Sequence, residues 1–115
     1  MIKLEIIVQP KHEKYLEFSQ SLESIKDDIQ QLCCTLSITE GNKVFYFIAE
    51  MNSTEQLTKI LYSKELSIIS GAIAMLAEKS EVIIHGVSHI RKGSNLQEIR
   101  LNYLNRKKKP SINEN

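Results

Sequence analysis

Apolar and polar residues alternate in four segments of the chain, which is the two-residue period of β-strands with one covered face. The four segments are residues 2–9, 34–40, 43–51 and 81–90. Glu40-Gly41-Asn42-Lys43 separates the second segment from the third. The pattern predicts a β-hairpin here, with Gly41 and Asn42 as the positive-φ residues of its turn.

Two longer segments, residues 11–31 and 54–79, repeat apolar residues every three or four positions and predict amphipathic helices. Ser53 with Gln56, or Asn52 with Glu55, has the spacing of a capping box at the start of the second helix. A straight second helix would place Lys64 on its buried face, so we predict a break near Ser63. Gly71 lowers helix propensity, and its presence predicts close packing against the sheet.

The order β-α-β-β-α-β predicts a ferredoxin-like α+β fold with a four-stranded antiparallel sheet and both helices on one face. The uncovered face is too apolar to be stable in water, and a symmetric partner would cover it. The sequence therefore predicts a homodimer that packs through the sheet faces. The candidate interface residues are Ile7, Tyr46, Ile48, His85, Val87 and His89.

The length of 115 residues, of which 42% are hydrophobic, fits one domain. We assign it to residues 1–90, which hold 8 basic and 12 acidic side chains, a net charge of −4. Residues 91–115 hold 7 basic and 2 acidic side chains, a net charge of +5. We expect this basic extension to form a short helix with Leu96, Ile99 and Tyr103 on its apolar edge, followed by disorder.

No apolar run reaches the roughly 18–20 residues of a membrane span, and Lys3 and Glu5 interrupt any signal-peptide core. The expected location is the cytoplasm, with no membrane partner. Short basic runs at chain ends are usually solvated, so nucleic acid is not an expected partner. Cys33 and Cys34 are adjacent and lack CxxC spacing, which indicates packing rather than redox or metal chemistry.

Several stretches resemble one known family. They are the first strand up to Pro10, the long first helix, Leu32-Cys33-Cys34, VFYFIAEM, Asn52-Ser53-Thr54-Glu55, and Leu61-Tyr62-Ser63-Lys64-Glu65-Leu66. In this order they resemble the dimeric α+β-barrel superfamily and its antibiotic-biosynthesis-monooxygenase-like (ABM-like) branch. The last stretch is similar to the branch's broken second helix, which often carries a Leu-x-Ser-x-His-Phe element. The resemblance implies a homodimer and covers residues 1–90.

The departures from the family pattern bear on function. The chain has no Trp, residues 54–79 contain no His, and residues 2–9 contain no Asn. The haem-degrading relatives use these residue types at these places, so we predict no haem degradation. Ile60 and Glu65 occupy positions where relatives often carry His, and Leu66 replaces Phe.

The sequence assigns no catalytic residue, no cofactor and no metal. His85 and His89 would lie about 13 Å apart on one strand, at roughly 3.3 Å per residue, too far to share a metal ion. Each could serve as an interface hydrogen-bonding group or as a lone general base.

We expect any ligand pocket between the sheet and the broken helix, near Phe47, Tyr62, Leu66 and Ser70. A packed core at this place is the alternative. The resulting hypothesis is an ABM-like homodimer that binds a small apolar or aromatic ligand without the usual catalytic residues. The alternative function is a cofactor-independent monooxygenase acting on a quinol or polyphenol-like substrate.

Overall fold

A computed structural model of the chain describes residues 1–86, 91–93, 96, 99 and 100. The elements in chain order are β1 (Ile2–Pro10), α1 (Tyr15–Gln30), β2 (Thr35–Gly41), β3 (Val44–Met51), α2 (Thr54–Leu61), α3 (Lys64–Leu76), β4 (Ala77–His85) and β5 (Arg91–Gly93). The strands form one antiparallel sheet in the order β2-β3-β1-β4-β5. The predicted ferredoxin-like order is confirmed, and β5 is a short additional strand beside β4.

The core lies between the helices and one face of the sheet. Alternate residues of β1 and β3 are buried there, as the two-residue period predicts: Ile2, Leu4, Ile6, Val8, Phe45, Phe47, Ala49 and Met51. The stripe of α1 that covers them consists of Phe18, Leu22, Ile25 and Ile29. The rings of Phe18 and Phe45 pack with their centroids 5.4 Å apart. Each fully buried side chain of this kind contributes about 1.5–3 kcal/mol relative to exposure.

The β2–β3 hairpin forms where it was predicted, but its turn uses different residues. Gly41 pairs with Val44 as part of the ladder, and Asn42 and Lys43 adopt positive φ values of 54° and 63°. A two-residue hairpin loop of this kind needs positive φ at both central residues. The assignment of Gly41 to the turn was therefore wrong by one position.

Both α1 and β4 begin at residues other than the predicted ones. The reason is that the end of β1 pairs with the start of β4. Pro10 pairs with Ala77 at the end of the sheet, and the Lys11 amide donates to the Leu76 carbonyl at 2.7 Å. These contacts keep the chain extended after β1, so α1 begins at Tyr15. They also make β4 begin at Ala77, four residues before the predicted start at Glu81.

Gly86 ends β4. Its φ is +90°, and a Cβ atom at this position would lie 2.5 Å from the carbonyl oxygen of Met1. Only glycine adopts this conformation without strain. The predicted strand continued to residue 90, and residues 87–90 lie outside the described part of the chain.

The break in the second helical segment is confirmed. Ser63 separates α2 from α3, and its hydroxyl accepts a hydrogen bond from the Leu66 amide at 3.2 Å. Lys64 is exposed, as the break was predicted to allow. Gly71 is also exposed, and a Cβ atom added to it would meet no other atom within 4 Å, so the expected close packing at Gly71 was wrong.

Leu96 and Ile99 are buried in the same core. Both belong to the predicted apolar edge of the C-terminal extension, and Tyr103 lies outside the described residues. No helix in the described part of the chain is long and apolar enough to cross a membrane.

Candidate functional site

The sheet face opposite the helices is the first candidate site. Strand register places Glu5 at its centre, opposite Ile48 of β3 on one side and Ile83 of β4 on the other. Ile7 lies opposite Tyr46 in the next row. In the described part of the chain, helices pack only against the other face, so these side chains form a mixed apolar and charged surface, which we call the open face.

Four of the six predicted interface residues lie on the open face. Ile7, Ile48 and His85 are half-buried, and Tyr46 is exposed. The structure brings them together because all four occupy alternate positions on β1, β3 and β4. Val87 and His89 lie outside the described residues.

His85 has a partner that the sequence did not indicate. Its Nε2 atom lies 2.9 Å from Oε1 of Glu5, and both side chains are partly buried. A carboxylate beside an imidazole fixes the orientation and tautomer of the ring. Glu5 and His85 are 80 residues apart in sequence, so only the β1–β4 register reveals the pair.

The break between α2 and α3 is the second candidate site. Phe47 and Leu66 are 2% and 0% exposed, so both belong to the packed core in this structure. Tyr62 is the exposed C-cap residue of α2, and Ser70 is half-buried one turn after Leu66 on α3. The four predicted pocket residues therefore include two in the interior and two nearer the surface.

Arg100 connects the C-terminal extension to this break. Its Nε atom donates to the Leu61 carbonyl at 2.5 Å, and a terminal nitrogen donates to the Ser67 hydroxyl at 3.0 Å. Leu61 ends α2, so the guanidinium caps the negative end of that helix. Burial lowers the pKa of Arg100, while neighbouring Tyr62 acts in the opposite direction. Sequence reasoning missed this contact because no local pattern links residue 100 to α2.

Glu65 was also missed as a site residue. It is 8% exposed and is the one charged side chain among the buried residues that the structure describes. It lies in the first turn of α3. The signal in the sequence was an acidic residue immediately before the apolar Leu66 at a helix break.

A shallow groove between α1 and β2 was not predicted. Leu22 and Ile38 form its apolar part, and Glu23, Lys26 and Glu40 its charged part. At one end the Tyr15 hydroxyl donates to the Glu40 carboxylate, and this hydrogen bond raises the pKa of Tyr15.

The possible metal ligands and the two free cysteines are the remaining chemically reactive groups. The described residues contain no group of three His, Cys, Asp or Glu side chains able to hold a metal ion. Burial raises the pKa of the Cys33 thiol, with the neighbouring Cys34 adding to the shift. The thiolate is the reactive form, so this shift disfavours nucleophilic attack by Cys33, which is partly buried against the core.

Comparisons with known proteins bear on the fold. Neither a family model nor a curated protein sequence matches the chain. A crystal structure of an antibiotic biosynthesis monooxygenase matches with a TM-score of 0.67 and 14% identity, over 77% of this chain and 100% of its own. A conserved protein from Methanosarcina mazei Go1 matches with a TM-score of 0.66 and 18% identity, over 73% of this chain and 89% of its own.

A NIPSNAP domain protein from Burkholderia xenovorans matches with a TM-score of 0.57 and 12% identity, over 76% of this chain and 95% of its own. Identities this low show the fold alone. The chain therefore has an ABM-like fold.

Proposed function

We propose that the protein is a homodimer in which two copies pack through their open faces, and that each copy binds a small apolar or aromatic ligand at the α2–α3 break. The open face is the observation that carries the first part. Ile7, Ile48 and Ile83 lie at its centre and are half-buried within one chain. Covering such residues contributes about 25 cal/mol for each Å² of apolar area removed from water.

A second copy is the partner that suits this surface. A two-fold interface needs a patch that is complementary to itself. The isoleucines of the open face flank Glu5, whose carboxylate is paired with His85, and charged residues of both signs lie around them: Lys3, Lys79, Glu50 and Glu81. Two copies can therefore bury their isoleucines against each other and pair opposite charges at the rim.

Sedimentation velocity at micromolar concentration tests the dimer. We expect a species of twice 13.2 kDa that dissociates on dilution. A single species of 13.2 kDa across the concentration range contradicts the proposal.

The ligand site is supported by the arrangement at the break. Phe47 and Leu66 provide an apolar interior, and Tyr62 and Ser70 carry hydroxyl groups nearer the surface. Pockets for small ligands usually combine an apolar lining with a few orienting polar groups. Because Phe47 and Leu66 are packed here, a ligand enters by separating α2 from α3 at Ser63, where the helical hydrogen bonding is already interrupted.

Thermal unfolding with 2-naphthol tests the ligand site. A ligand that binds only the folded chain at 100 times its dissociation constant stabilises it by about 2.7 kcal/mol. Tyr62→Phe should weaken binding, and Tyr46→Phe on the open face serves as the matched control. Equal effects of the two variants would place the ligand elsewhere.

Cofactor-independent oxygenation of a quinol or polyphenol-like substrate is the second candidate. The structural likeness to an antibiotic biosynthesis monooxygenase favours it. Incubation with a quinol under ¹⁸O₂, followed by mass spectrometry, separates the two functions. Enzyme-dependent ¹⁸O incorporation would establish catalysis, and ligand-induced stabilisation without product would indicate binding alone.

A further inference from the structure

Glu65 is placed where a charged side chain is costly. It follows exposed Lys64 and precedes Leu66, which has no exposed surface. On α3 it lies four residues before buried Ile69, on the flank of the helix that faces the interior. Its exposed fraction of 8% means that more than nine-tenths of the residue is shielded from water.

The carboxylate of Glu65 has no partner among the residues that the structure describes. No hydrogen bond or ion pair among the described residues includes it, whereas nearby polar groups have other partners. The Ser63 hydroxyl donates to the Ile60 carbonyl at 2.7 Å and accepts from the Leu66 amide. The Arg100 guanidinium donates to Leu61 and Ser67.

Fold stability does not account for a carboxylate at this position. A buried charge without a hydrogen-bonding partner costs several kcal/mol, although relaxation and water penetration reduce the penalty. The N-terminus of α3 favours a negative charge, but by less than the penalty for an unpaired buried charge. Methionine or leucine would fill the same volume without the penalty. A buried polar group without a partner therefore calls for a functional explanation.

We propose that Glu65 binds the ligand by accepting a hydrogen bond from its O–H or N–H group. This inference rests on the proposed ligand site at the α2–α3 break and specifies its chemistry. The ligand is largely apolar and carries a neutral or cationic hydrogen-bond donor, as a phenol does. Carboxylates and phosphates are rejected because Glu65 would repel them at close range in a site of low dielectric constant.

Two probes of similar shape test the role of Glu65. 2-Naphthol has a hydroxyl donor, and 2-methoxynaphthalene does not. A hydrogen bond to a charged group contributes about 1.5–3 kcal/mol, so the wild-type chain should bind 2-naphthol more than tenfold more tightly. Glu65→Leu should remove this preference, and Glu65→Gln, which keeps the shape and one acceptor oxygen, should retain part of it.

Thermal unfolding of the same variants without ligand supplies a second readout. If the carboxylate serves binding, Glu65→Leu and Glu65→Gln should both have a higher midpoint temperature than the wild-type chain, because the buried charge is gone. A lower midpoint in both variants would show that the carboxylate supports the fold and would overturn the proposal.

The binding experiment also separates this inference from the proposed function. If both probes bind equally to the wild-type chain and to Glu65→Leu, the ligand site stands and the role of Glu65 is wrong. If neither probe binds the wild-type chain, both proposals fail. Retention of the preference for 2-naphthol in Glu65→Leu would likewise overturn the assignment.

Discussion

Replacing Ile48 with Asp tests the proposed dimer at the centre of the open face. Ile48 pairs with Glu5 of β1 on one side and Ser37 of β2 on the other. The new carboxylate would therefore lie directly opposite Glu5 on the same face. Each dimer contains two copies of the change, so the effect on association is doubled.

The expected loss can be worked from the position of Ile48. Burying an uncompensated charge in an interface costs about 3–5 kcal/mol per copy, and two copies cost at least about 6 kcal/mol. At 1.4 kcal/mol for each factor of ten, the dimer dissociation constant should rise by about 10⁴. Within one chain Ile48 is only half-buried, and like charges across two strands cost about 0.2–1 kcal/mol. The fold should survive.

Sedimentation velocity and far-ultraviolet circular dichroism measure the two effects separately. We expect Ile48→Asp to sediment as a folded monomer at concentrations where the wild-type chain is a dimer. Ile68→Asp is the matched control, because Ile68 is 44% exposed and lies on α3 on the other side of the molecule. An unchanged dimer in Ile48→Asp, or equal dissociation in both variants, would refute the reasoning.

Further measurements test the turn, the end of β4, the helix break and the predicted absence of haem degradation. Lys43→Gly should raise the free energy of unfolding, measured in urea, by about 1 kcal/mol, because Lys43 has a φ of 63° that glycine adopts without strain. Lys43→Ala is the control and should not raise the free energy of unfolding. Gly86→Ala should lower the free energy of unfolding by at least about 1 kcal/mol, because the added Cβ atom would meet the carbonyl oxygen of Met1. An unchanged midpoint of urea unfolding would contradict this contact. Leu66→Ala should lower the free energy of unfolding by about 2–5 kcal/mol, because Leu66 is fully buried. The substitution should leave a space that 2-naphthol fills, so added 2-naphthol should stabilise this variant more than the wild-type chain. A loss well below that range would mean that Leu66 is not packed as the structure shows. Haem added with a reductant should keep its Soret absorbance as long as in a protein-free control, because the chain has no Trp and residues 54–79 have no His. A faster loss of Soret absorbance with the protein present would disprove this prediction.

Local patterns were sufficient for the order of β1 to β4 and of the helices between them, and for the side of the sheet that the residues of these strands face. A two-residue period distinguishes the covered and open faces of β1 and β3 without knowledge of their neighbours. The break at Ser63 was also predictable, because an unbroken helix would have buried Lys64. These features depend on residues within one or two turns of each other.

Features that depend on contacts between distant segments required the tertiary structure. The Glu5–His85 pair joins residues 80 apart, and Arg100 reaches Leu61 across 39 positions. The start of β4 at Ala77 was missed because its pairing with Pro10, not its own sequence, extends the chain there.

Glu65 is the clearest case of a feature that the sequence alone did not reveal. Its helical position is readable from the sequence, but its burial is not, because a charged residue at the flank of an apolar stripe normally reaches water. The structure leaves it 8% exposed at the N-terminus of α3. Burial depends on every segment that packs around a side chain. Periodicity therefore predicted the helix break, and only the tertiary structure showed that Glu65 is buried beside it.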